Sequence, residues 1–112
     1  MSYKNIKIGR KIPWAIPDIT EEDVEAVTEA VKSGWISGTG PLIKSFEEEF
    51  ARKVGAKYAV TASNGTISLV MALLALRQKH QSLNVVALPT YTFIATANAA
   101  QMVMDDIKII DC

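Results

Sequence analysis

The run Thr61-Ala62-Ser63-Asn64-Gly65-Thr66-Ile67-Ser68-Leu69 gathers residue types that suit a phosphate. An apolar run ends, Ser63 to Thr66 reads as a tight turn, and a helix begins at once. Backbone N–H groups at a helix start lack intrahelical acceptors, and the positive end of the helix dipole favours an anion there. Gly65 has no Cβ, so a phosphate can approach its backbone closely, and the Thr66 hydroxyl adds a donor. A plainer role fits the same residues: Ser63 or Asn64 caps the helix and Gly65 only permits the turn. Spacing alone leaves both open. The triphosphate pattern GxxxxGK followed by Ser or Thr is missing, as is the dinucleotide pattern GxGxxG.

Two further segments carry residues of chemical interest. Pro89 to Ala100, PTYTFIATANAA, follows a second apolar run. Ligands of parallel α/β sheets sit at the carboxyl ends of strands, which places this segment beside the first turn. Phe93 could stack flat on a planar cofactor ring, although taken alone Tyr91 and Phe93 read as core residues. The loop SGWISGTGP, Ser33 to Pro41, has three glycines that allow close backbone approach, and Trp35 could flank a sugar or base. Its plainer reading is a mobile connection with a half-buried Trp. His80 sits among polar residues at a helix end and reads as solvated, without the partners a metal site needs. Asp105-Asp106 reads as a charged turn. No GxSxG nucleophile elbow is present.

Composition narrows the class. The 112 residues suffice for one small domain, and 49% hydrophobic against 21% charged argues against disorder. Twelve basic and twelve acidic residues cancel, so there is no electrostatic footprint for nucleic acid or an anionic membrane. No apolar run approaches the ~20 residues that span a bilayer, and MSYKNIKIGRKIPW lacks the apolar core of a signal peptide. The one cysteine, Cys112, leaves no internal disulfide and no cysteine metal cluster. A soluble cytoplasmic protein is the expectation. The chain stops straight after a strand-like apolar run, which leads to the further expectation of a chain cut inside a larger fold.

The elements that must position these residues are legible in outline. Residues 1–19 carry Pro13 and Pro17 without helical period and read as an extended arm. Thr20 and Asp23 form a capping box before Val24, Val27 and Val31, and Gly34 ends that helix. A second helix carries Leu42, Phe46, Phe50 and Val54 on one face and stops at Gly55. Strands are expected at Tyr58–Thr61, Val85–Leu88 and Lys108–Asp111, with helices at Ile67–Leu76 and within Phe93–Met102. Alternation of strand and helix predicts a parallel α/β sheet, and unbroken apolar runs predict strands covered on both faces.

The order WISxxG, SFEEEFA, AVTASNGT, PTYTFIATANA resembles the DegT/DnrJ/StrS family of pyridoxal phosphate (PLP) dependent nucleotide-sugar aminotransferases, from about Ile12 to Asp111. The SNGT form and the WIS loop are most similar to the branch making 4-amino sugars, the perosamine synthases. The resemblance implies an incomplete amino-terminal part of the large domain of the aspartate aminotransferase type of fold, an α/β arrangement of parallel strands with covering helices. It divides the chain into the arm, 1–19, and a partial PLP-binding large domain, 20–112, truncated before the Schiff-base lysine. It also implies that Asn64, Gly65 and Thr66 anchor the cofactor phosphate, that Phe93 stacks on the pyridine ring, and that Trp35, Ser37 and Gly40 lie near the sugar nucleotide. Homodimers with shared active sites are implied too, with glutamate as the expected amino donor.

Departures from the family pattern fall in connections: Ser82-Leu83-Asn84-Val85 replaces a GDEV-like turn, and Met104-Asp105-Asp106 replaces a GA-x-P turn. None of the nine lysines matches the Schiff-base segment, and no aspartate matches the partner of the pyridine nitrogen. No catalytic residue is therefore expected in this chain, which is read as inactive alone. Aminotransferase and lysine-replaced dehydratase are not separated by the residues present. Two rivals remain: a non-catalytic α/β module holding a phosphorylated ligand at 63–66, and one half of a split or degraded gene.

Overall fold

The computed structural model describes Pro13 and residues 15–111, so most of the expected arm, together with Ile12 and Cys112, lies outside the described residues. Pro13 and residues 15–19 form no helix or strand and are exposed. The chain divides into two units, one running up to Leu42 and one from Ile43 onward.

The first unit is organised by helix α1, Glu21–Lys32. Its start is the expected capping box: Thr20 Oγ1 accepts from the Asp23 N–H at 3.3 Å, and the Asp23 carboxylate accepts from the Thr20 N–H at 2.8 Å. That backbone donor, with the Thr20 hydroxyl, holds the Asp23 carboxyl below its ordinary range. Gly34 ends the helix with a φ of 75°, a left-handed conformation that side chains resist. The expected valine stripe is present, yet Val24, Val27 and Val31 are all exposed.

The second unit contains α2 (Pro41–Val54, whose first residues precede the division), α3 (Gly65–Lys79), β1 (Val85–Pro89), α4 (Ile94–Val103) and β2 (Asp106–Ile110). Strands β1 and β2 pair in parallel, from Val85 opposite Asp106 to Pro89 opposite Ile110. Beyond the ladder, the Thr90 N–H donates to the Ile110 carbonyl at one end, and the Asp105 and Asp106 N–H groups share the Asn84 carbonyl at the other. The chain is mixed α/β with a two-stranded parallel sheet. Its core is small: Ala51 of α2 and Leu88 of the sheet, with Ala99, Ala100 and Val103 of α4 and Met104 just after it. The two alanines are fully buried, which lets α4 pack closely against the sheet and α3.

Four expectations need correction. Tyr58–Thr61 is not a strand, and the described residues contain two strands rather than three. A strand exists only within a ladder, and no described segment pairs with this one; the Thr61 N–H goes to a side chain instead. Nor are the strands covered on both faces, since Val85, Ile109 and Ile110 are exposed. Asp105-Asp106 is a turn only at Asp105, because Asp106 opens β2. Helix α3 is also longer than Ile67–Leu76: the cap at Asn64 starts it earlier, and Arg77, Gln78 and Lys79 are good helix formers that extend it. Among the described residues no helix is long and apolar enough to cross a membrane.

Candidate functional site

The turn before α3 realises the capping role that its sequence allows. Asn64 is the N-cap, in extended conformation, and its Oδ1 accepts from the Ile67 N–H at 3.0 Å. Its carbonyl accepts from the Ser68 N–H and hydroxyl, at 3.0 and 3.2 Å. The cap therefore satisfies the third N–H of the helix. Gly65 and Thr66 occupy the first two positions, whose N–H groups have no acceptor within the helix itself.

Gly65 is not required by the turn. It does not have a positive φ, and a Cβ built on it would meet no atom within 4 Å. Among the described residues, neither backbone strain nor a packed neighbour requires a glycine there. A group approaching from outside the chain would use that space, and the N-terminal end of the 15-residue helix α3 favours one with negative charge. Thr66 is half-buried beside it.

Phe93 is the N-cap residue of α4, with no side-chain cap bond, and is 79% exposed. Tyr91 is 90% exposed. Both therefore depart from the reading as core residues: the backbone needed to leave β1 and enter α4 turns them outward. Helices α3 and α4 pack side by side, and Arg77 near the end of α3 donates to the Val103 carbonyl at the end of α4. Neighbouring helices whose C-terminal ends meet run in the same sense. Their starts, Asn64–Thr66 and Phe93, accordingly lie at the same end.

Trp35, Ser37 and Gly40 are in the first unit, where Trp35 and Gly40 come together. A Cβ on Gly40 would sit 3.2 Å from Trp35 Cε3, so a side chain here would press on the indole. Ser37 Oγ donates to the Thr39 carbonyl at 2.9 Å. Trp35 remains 57% exposed, with one side of the ring against Gly40. His80 caps the end of α3 and is exposed, as expected.

Two side-chain ties beside these segments were missed. Glu47 Oε1 accepts from both the N–H and the hydroxyl of Thr61, at 2.7 and 2.9 Å. Those two donors, the backbone one first, hold the Glu47 carboxyl below its ordinary range. Arg77 Nη2 meets both carboxylate oxygens of Asp105, at 2.9 and 3.0 Å. In sequence Glu47 is one of three consecutive glutamates and Arg77 one of a polar RQK end, and nothing local singles out either.

Comparison with known proteins adds to this geometry. GDP-perosamine synthase of Escherichia coli O157:H7 is 43% identical over 88 residues, covering 79% of this chain and 24% of that protein. EpsN of Bacillus subtilis (strain 168), provisionally named a pyridoxal phosphate-dependent aminotransferase, is 37% identical over 89 residues, 80% of this chain and 22% of its own length. The spore coat polysaccharide biosynthesis protein SpsC of the same organism is 45% identical over 62 residues, 55% of this chain and 16% of its own length. The chain thus spans about a quarter or less of these curated relatives. Residues 17–112 match the model of the DegT/DnrJ/EryC1/StrS aminotransferase family, and the chain belongs to that family.

Proposed function

We propose that these residues form the amino-terminal part of a PLP-dependent enzyme that transfers an amino group, with glutamate as donor, to a keto sugar nucleotide. In this reading they belong to the large domain of an aspartate aminotransferase type of fold, in a homodimeric enzyme of the cytoplasm. The family, the relatives' names and the short span of those relatives support it. So do the exposed apolar faces of α1 and α2, which suit packing against further protein.

The observation that carries the cofactor reading is Gly65, a glycine at a capped helix start that neither strain nor packing among the described residues requires. The residues fit the group. The N–H groups of Gly65 and Thr66, with the Thr66 hydroxyl, would hold the phosphate, while Asn64 keeps the helix start in shape. Phe93, exposed at the same end, would face the ring. When bound, PLP supplies an electron sink for amino transfer. What this chain adds is binding and orientation: an anion site, a flat apolar wall that excludes water from one ring face, and the Trp35–Gly40 loop for the sugar nucleotide. No residue here is assigned a proton-transfer step, so the chain alone is inactive in this reading.

Pyridoxine 5′-phosphate tests the site cleanly, because it lacks the aldehyde that would react with any of the lysines. The proposal expects calorimetric binding of this probe and none of pyridoxine at equal concentration. Equal binding of the two, or of neither, would refute the phosphate anchor.

A further inference from the structure

We infer that Glu47 is a positioning residue for the turn at Asn64–Thr66, its carboxylate holding Thr61 where no β-ladder among the described residues does. This rests on the phosphate reading given above. Residues 56–64 join α2 to α3 without helix or strand, and Tyr58 and Val60 within them are exposed. Such a segment has little to fix its course. Thr61 stands three residues before the cap, a reach of roughly 10 Å when extended. If Thr61 moves, the entry to the turn moves with it.

Glu47 is suited to this work by its place and its charge. It lies near the middle of the 14-residue helix α2, so its backbone is fixed by the helix itself. One oxygen, Oε1, takes both Thr61 donors, at 2.7 and 2.9 Å, and Glu47 is half-buried. Hydrogen bonds to a carboxylate are about twice as strong as those between neutral groups. The bond also uses the Thr61 N–H, which is therefore not available to a β-ladder. Its neighbours differ: Glu48 faces Lys44 at 3.9 Å, and Glu49 lies in the hollow lined by Phe46, Phe50 and Arg52.

Hydrogen–deuterium exchange resolved to single amides, together with pyridoxine 5′-phosphate titration, tests the inference on the 112-residue chain. In Glu47→Ala, exchange at the Thr61 amide should rise about tenfold and the affinity for the probe fall about tenfold. Glu47→Gln keeps a neutral acceptor, so both changes should shrink to about threefold. Glu49→Ala should leave both unchanged. Should the alanine variant lose its helical circular dichroism, the glutamine variant carries the test through its graded loss. Unaltered Thr61 exchange in the Glu47 variants, or faster exchange with undiminished affinity, would overturn the inference. If the wild-type chain does not bind the probe, the phosphate reading falls with the ligand half of this inference. Thr61 exchange still decides, in that case, whether Glu47 fixes the turn.

Discussion

Arg77 and Asp105 meet through Nη2 of the guanidinium, which lies 2.9 and 3.0 Å from the two carboxylate oxygens. The same guanidinium donates from Nη1 to the Val103 carbonyl, one of the last carbonyls of α4. One side chain thus joins the end of α3, the end of α4 and the turn into β2. The contact joins the C-terminal ends of two neighbouring helices, whose starts, with Gly65 and Phe93, lie at the other end.

Arg77→Ala should destabilise the second unit by about 1 kcal/mol, since the ion pair is partly exposed while the Val103 carbonyl loses a charged donor. Arg77→Lys should recover little of this, because an ammonium cannot span the carboxylate and the carbonyl as a planar fork does. Urea unfolding of the three proteins reads the difference.

Removing the helix cap should be felt locally. Asn64→Ala deprives the Ile67 N–H of its acceptor and should cost about 1 kcal/mol, whereas Asn64→Asp, which keeps an oxygen at that place, should cost little. Chemical denaturation measures the cost, and amide exchange at Ile67 locates it.

Acid should loosen the entry to the site. Hydrogen bonds from Thr61 hold the Glu47 carboxyl below its ordinary value of 4.5. A carboxylate whose folded pKa is depressed contributes stability above its unfolded value, and that contribution is lost as pH falls through the folded one. The tie to Thr61 should therefore be intact at neutral pH and lost on acidification below about 4.5. Asp23 behaves in the same direction at the start of α1, from an ordinary value of 3.8. Glu47→Gln should make acid unfolding of the second unit less steep, followed by circular dichroism through that range. An unchanged profile would show that Glu47 does not contribute.

The exposed apolar faces predict association. Val24, Val27 and Val31 on α1, and Leu42, Phe46, Phe50 and Val54 on α2, are all accessible, with Phe46 and Phe50 stacked at 5.7 Å between centroids. Surfaces of this kind normally pack against further protein. Sedimentation of the 112-residue chain should show concentration-dependent self-association. A monodisperse monomer with a sharp thermal transition would contradict it.

What the sequence made legible was whatever depends on near neighbours. The Thr20–Asp23 box, the stops at Gly34 and Gly55, and the cap at Asn64 are interactions across three or four residues, and residue type alone announces them. The strand at Tyr58–Thr61 failed because a strand depends on a partner that local pattern does not contain. Tyr91 and Phe93 were read as core because of their type, whereas their exposure follows from the path between β1 and α4. Glu47 and Arg77 were illegible for a related reason. Their partners lie 14 and 28 residues away, and in sequence each is an ordinary charged residue on a helix.

The most direct test of the central claim is Gly65→Ala, assayed for both stability and binding of pyridoxine 5′-phosphate. Gly65 does not have a positive φ, and its Cβ position is open, so alanine fits the fold without strain. The account predicts stability retained or raised by about 0.4–1 kcal/mol, with affinity for the probe falling at least about tenfold as the methyl group occupies the phosphate's approach. Undiminished affinity would contradict it and leave the turn as a helix cap alone.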